Sequence, residues 1–215
     1  MVLVDRALDE LSFDTVSLDN RAAAAAAVGH VLDLGHRAVG FINGSERIKT
    51  AADRLTGYRE AMLARGIPVD FSLIRKAAFK ESEAFEAAVS LLGSDDPPTA
   101  VFAANGLMTM GLLRGMATLG LRCPDQVSII GMDDVPWAEA FNPTLTMIAQ
   151  PLAVMGKAAV RMLLERILGV RTDGPEHFVA QPSLIVRQSC GRVYTGEQVI
   201  HAQAVSCHAI EDPGV

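Results

Sequence analysis

Asp5, Asn105 and Asp133 each stand at or just past the end of a short apolar run, at 2–4, 99–103 and 127–131 respectively. Carboxylates, amides and guanidinium groups are planar, and each can hold two vicinal hydroxyls at fixed geometry. An aromatic face against the apolar side of a ring adds to such binding. These groups offer recognition of a small polyhydroxylated molecule rather than bond making. Each also has a local alternative. Asp133 and Asp134 could cap a short helix beginning at Pro136, and Asn105 could cap the helix that follows it. The sequence holds no GxGxxG, Walker loop, GxSxG or HExxH. No nucleophile–base pair emerges, so no enzyme is expected. His30 and His36 are six apart and are expected on different faces of one helix. His201, Cys207 and His208 lie in a segment without periodicity, so neither a metal site nor a cofactor is expected.

The elements that must position these residues alternate. Short apolar runs at 2–4 and 15–18 precede a run of six alanines, 22–27, that favours helix and close packing on a sheet, with Gly35 as its stop. Strand-like runs follow at 38–42, 73–77, 99–103 and 127–131, separated by helical patterns at 47–65, 81–92 and 107–119. A second strand-like run follows Pro143. The segment 152–168 reads as an amphipathic helix, with Met155, Val160, Leu163, Leu164 and Ile167 on or near one face. Short strands at 177–180 and 184–187 complete the pattern. Such alternation with short connections argues for an α/β fold, a parallel doubly wound sheet with helices on both faces. Ligands of such sheets sit beyond the carboxyl ends of the strands, which is where Asp5, Asn105 and Asp133 fall.

Composition sets outer limits. With 215 residues, half of them hydrophobic, the chain can bury a substantial core as one large domain or two small lobes. The formal net charge is -6, with no block of Lys or Arg, so the chain by itself is a poor candidate for binding nucleic acid. Cys123, Cys190 and Cys207 are far apart and odd in number, which suits a reducing compartment better than a disulfide framework. The absence of an 18-residue apolar run and of a signal-peptide pattern points to a cytoplasmic protein.

The stretch 128–151, SIIGMDDVPWAEAFNPTLTMIAQP, joins a buried strand, an acidic pair, a short helix with the only Trp, and a second strand after Pro143. It resembles the effector-binding domain of the LacI/GalR family of bacterial repressors. Asp5, the run from Asp19-Asn20 to Leu34-Gly35-His36-Arg37, Arg54-Leu55-Thr56-Gly57-Tyr58, Pro98-Thr99-Ala100-Val101-Phe102 and Leu184-Ile185-Val186-Arg187 fall in family order, covering roughly 1–190.

The resemblance implies a two-lobed periplasmic-binding-protein-like fold with one lobe incomplete. Residues 1–15 and 150–178 would be a remnant of the N-terminal lobe. Residues 16–149 and 179–188 would form the C-terminal lobe, and 189–215 a loosely held or disordered tail. It also implies a ligand site. Asp133 would accept from effector hydroxyls, and Arg54 would contact the effector rather than serve an ion pair with Asp53 or Glu60. Asn105 would bind a hydroxyl, although Gly106 stands where the family usually has Asp. Phe79 would stack rather than serve as core, and Asp5, Gln150 and Leu152 would border the site, Leu152 by packing alone. The function implied is the effector-binding and dimerisation core of a sugar-responsive transcriptional regulator. Its partners would be a small-molecule effector, expected to be a sugar, and a second copy, with DNA reached only through a headpiece missing here. A sugar-binding protein of a transport system and a non-functional truncated remnant are the alternatives. On the reading of a truncated lobe, 16–147 with 180–188 is the stable unit, and 1–14 and 150–170 are loosely docked, self-associate or need a partner.

Overall fold

The structure, a computed structural model, describes residues 1–5 and 13–193. Its first elements are β1 (Val2–Val4), β2 (Asp14–Leu18), α1 (Asn20–Asp33), β3 (Val39–Asn43), α2 (Lys49–Ala64), β4 (Ile74–Lys76) and α3 (Glu81–Leu92). They are followed by β5 (Ala100–Ala103), α4 (Gly106–Thr118), β6 (Ser128–Met132), β7 (Thr146–Ala149), α5 (Leu152–Ile167), β8 (His177–Ala180) and β9 (Ser183–Ile185). Pro136–Glu139 forms a 3-10 turn where a short helix was expected. Among the described residues no helix is long and apolar enough to cross a membrane.

Two sheets result. A six-stranded sheet runs β4-β3-β5-β6-β7-β9, parallel except for β9, which returns antiparallel to β7. A three-stranded sheet, all parallel, runs β1-β2-β8. The expected lobe boundaries at 15/16 and 178/179 therefore cut through β2 and β8, each of which pairs as one strand. The sheets put the division after Leu18 and after Ala180. Pairing, which no local pattern encodes, decides this. The chain passes between the sheets three times: at Asp19, at Gln150-Pro151 and at Gln181-Pro182.

The core sits around β3, β5 and β6, whose residues are all buried, as expected of strands covered on both faces. Phe41 stacks between Tyr58 and Phe102, with ring centroids 5.2 Å apart on each side. The alanine run lets α1 lie against α2 as well as the sheet. A Cβ on Gly57 would meet the Arg21 carbonyl oxygen at 2.1 Å. Asp19 caps α1, accepting from the Ala22 N–H at 2.9 Å, and Gly35, with φ +97°, ends it. His36 therefore lies past the helix, not on it. It is buried between the Thr99 hydroxyl and the Gly191 carbonyl.

The three-stranded sheet is covered on one face by α5, through Met155, Ala158 and Met162. Arg166 donates twice to Asp14, at 2.8 Å each, and holds that buried carboxyl well below the usual range. The other side of α5 leaves Val160, Leu163, Leu164 and Ile167 between 41% and 69% exposed.

The first residues of the expected tail are held. The Ser189 hydroxyl donates to the Ile129 carbonyl at 2.7 Å and accepts from the Thr146 N–H at 2.8 Å. The Val193 N–H donates to the Leu34 carbonyl. These bonds satisfy strand ends that would otherwise be orphaned, so 189–193 belong to the fold. Residues 194–215, with His201, Cys207 and His208, lie outside the described residues.

Candidate ligand-binding cleft

Asp5 follows β1, Asn20 follows β2, Phe79 follows β4, Asn105 follows β5, Asp133 follows β6 and Gln150 follows β7. Parallel strands align their carboxyl ends, so these side chains gather on one rim.

Arg54 is the centre of the group. It lies on α2, is only 4% exposed, and is not the solvated partner of Asp53 or Glu60. Those residues pair instead with Lys49 and Arg21. Its Nε donates to Asn20 Oδ1 at 2.7 Å, and its Nη1 donates to the Ala104 carbonyl. Burial pushes its pKa down, and the negative charges of Asp133, then Asp5, pull it back up. Both carboxylates are thus close enough to act on the same guanidinium. Two of its five N–H groups are used in those bonds, leaving three for the carboxylates and a ligand.

Asp133 is held at both oxygens. Oδ2 accepts from the Gly106 N–H at 3.2 Å, at the first turn of α4, and Oδ1 accepts from Gln150 Nε2 at 2.5 Å. A carboxylate has about four acceptor positions, so about two remain for ligand hydroxyls. Its φ of +69° turns the side chain out of the strand and into the rim. Asp133 does not cap the 3-10 turn, and neither does Asp134, whose carboxylate pairs with Arg187 at 2.7 Å. The guanidinium outcompetes a local N–H because the pair is charge-assisted at two atoms.

Asn105 caps α4, its Oδ1 accepting from the Met108 N–H at 2.7 Å. Its Nδ2 reaches the Phe79 carbonyl at 3.5 Å, so its donor side faces the Phe79 turn. Phe79 itself has φ +61°, and its ring lies over Gly44, where an added Cβ would be 2.1 Å from the ring. That ring is half-buried and packed on the core margin. A Cβ on Gly106 would make only ordinary van der Waals contact, with Asp133 Cβ and Trp137 Cζ2 each 3.9 Å away. Leu152 departs from the rest. It is 70% exposed on the first turn of α5 and supplies no packing.

The structure thus brings Asp5, Arg54, Asp133 and Gln150 together, with Asn105 and Phe79 on the same rim, and leaves Leu152 outside. Asn20 and Trp137 were not singled out from the sequence. Asn20 could have been found, since it stands just past β2 as Asn105 does past β5.

Residues 28–190 match the family model described as periplasmic binding protein-like domain. The chain belongs to that family, and the relatives it resembles within it are LacI-type transcriptional regulators. The HTH-type transcriptional repressor PurR of Photobacterium profundum is 33% identical over 189 residues, 88% of this chain and 56% of that protein. A solved transcriptional regulator CelR-cellobiose complex is 34% identical with a TM-score of 0.82, over 87% of this chain and 58% of that one. A LacI family transcriptional regulator from Enterococcus faecium with bound ribose is 27% identical with a TM-score of 0.80, over 90% of this chain and 71% of that one. The chain spans about half the length of the curated relatives it matches.

Proposed function

We propose that this chain is the effector-binding and dimerisation core of a cytoplasmic LacI-type transcriptional regulator, and that its effector is a neutral sugar. The observation that carries this is the convergence of Asp5, Arg54 and Asp133 on one rim shared by both sheets. Two carboxylates against one guanidinium leave the rim short of positive charge, which disfavours an anionic ligand and suits hydroxyl donors. Trp137 and Phe79 supply apolar faces beside the polar groups. Bound cellobiose and ribose in two similar regulators fit the same ligand class. A ligand bridging the rim favours the lobe arrangement in which it touches both sides. Its effect on DNA, through a headpiece outside residues 1–215, is limited by its differential affinity for the two arrangements.

Titration of the chain with cellobiose, ribose and a sugar phosphate, followed by Trp137 fluorescence and calorimetry, tests this. A neutral sugar binding with micromolar affinity, weakened in Asp133→Asn, is the expected result. Preferential binding of the phosphate, or binding of a neutral sugar unaffected by Asp133→Asn, would remove the assignment.

A further inference from the structure

Cys123 and Cys190 stand far apart in the sequence and meet at one rung of the fold. The rung is the bond from the Ile129 N–H of β6 to the Ser189 carbonyl, at 2.8 Å. The Cys123 thiol donates to that same Ser189 oxygen at 3.3 Å, and the Cys190 thiol donates to the Ile129 carbonyl at 3.2 Å. A carbonyl oxygen lies roughly 3 Å from the Cα of the next residue, so the Cys123 sulfur is within roughly 6 Å of the Cys190 Cα. The paired Cα atoms of a cystine stand about 4.4–6.8 Å apart, and the approach fits that span. Neither thiol belongs to the cleft, because Ile129 is near the amino end of β6 and Asp133 follows its carboxyl end.

Access differs between the two. Cys123 lines a cavity of about 350 Å³ beside α4, with Met116, Ile129 and Leu145, and Cys190 does not line it. Burial pushes the Cys123 thiol up to about 12, to which the charges of Cys190 and then Asp125 add, and burial pushes the Cys190 thiol up to about 11. The effect of one sulfur on the other is a second sign that they are neighbours. Both stay protonated at neutral pH and react slowly, so a dedicated thiol oxidant is needed to change them.

We infer that Cys123 and Cys190 form an oxidisable dithiol, a modification site whose reactant is a small-molecule disulfide and whose product is an intramolecular cystine. The Cys123 sulfur, reached through the cavity, loses its proton and attacks one sulfur of the oxidant. The departing thiolate takes up a proton and leaves as a thiol. Cys190 then loses its proton, attacks the Cys123 sulfur of the mixed disulfide, and expels the second small thiol. Two protein thiols become one S–S bond, and one small disulfide is reduced to two thiols. The new bond staples the loop before β6 to the segment 186–193 that crosses its amino end. Ile129 and Asp133 are four residues of strand apart, roughly 13 Å, so closure leaves the cleft untouched.

The test uses the full chain carrying Cys207→Ser, which removes the third thiol, held in excess oxidised glutathione at pH 8. Thiol titration in denaturant is expected to fall from two to none, with no glutathione retained by mass and a Cys123–Cys190 cross-linked peptide after digestion. Adding Cys190→Ser should instead trap one glutathione on Cys123. The oxidised chain should melt roughly 4–16 °C higher than the reduced one, as closing a long loop implies. Its sugar affinity should stay within threefold. Two thiols intact after a day, a glutathione on each cysteine, or a bond between two copies of the chain overturns the inference. A melt unchanged by closure overturns the staple.

Discussion

Asp133→Asn separates the charge at the rim from everything else about the position. With φ +69°, residue 133 is left-handed, a conformation Asn accepts readily, whereas Ala would add about 1–2 kcal/mol of backbone strain. The amide keeps one acceptor. If its oxygen takes the Gly106 N–H, its NH2 faces Gln150, which can turn its own amide to present Oε1. Both fixed bonds then survive in neutral form, at a cost to the fold of about 1 kcal/mol, or about 2–4 °C in Tm for a chain of this size. The ligand loses more. Of the roughly two free acceptor positions, one becomes a donor and the other loses its charge. That amounts to about 2–4 kcal/mol, or roughly a 30- to 700-fold weaker Kd. Calorimetric titration beside a thermal melt measures both terms. A variant that melts within 4 °C of the parent yet binds the sugar within threefold of it would refute the role given to Asp133.

Arg54→Met should remove about 2–6 kcal/mol of stability in urea denaturation, since Asn20 Oδ1 and the Ala104 carbonyl lose their donor and two carboxylates lose their counter-charge. A loss below 1 kcal/mol would show that the guanidinium is not holding the rim. Gly57→Ala forces a methyl against the Arg21 carbonyl at 2.1 Å, and should cost about 3 kcal/mol, at the upper end for overpacking because backbone must move. A Tm unchanged within 2 °C would contradict that close approach. Burial lowers the pKa of His36 from its ordinary 6.5, so the unfolded chain takes up a proton the fold refuses. Stability should be full above about pH 6.5 and fall as the pH drops through it, with a second loss below about 3.8 as Asp14 is protonated away from Arg166. Urea midpoints at pH 8, 6.5 and 5 check the first window, and His36→Gln should flatten the slope there.

The runs that became β3, β5 and β6 were legible because strands buried on both faces read as unbroken apolar segments. Asp5, Asn105 and Asp133 were legible for the same reason, since a polar residue closing such a run is conspicuous, whereas Arg54, Gln150 and Phe79 came from the family resemblance alone. What depended on distant partners was not. Nothing near β2 or β8 says that they share a sheet with β1, because that pairing joins residues 162 apart, Thr15 with His177. Asp134 beside Asp133 invited a capping reading. Its true partner, Arg187, comes 53 residues later, on a segment whose course depends on β9 returning antiparallel. The hold on 189–193 is likewise built from hydroxyls and carbonyls of β6, β7 and the α1 terminus, so its periodicity carries no trace of it.

The three passages between the sheets have a mechanical consequence. Three short tethers in a row define a line, and two bodies joined along a line keep essentially one soft coordinate, rotation about it. Prolines at 151 and 182 stiffen two of the tethers by fixing φ, and the Asp19 N–H bond to the Ala180 carbonyl stitches the first to the third. Gln150 stands on the second tether along the chain with its amide on Asp133, and Asn20 stands beside the first with its amide on Arg54. Whatever settles on those two groups acts at the pivot with a short lever arm, so small displacements there become large ones at the far ends of the lobes. Occupancy would be reported outward as an angle.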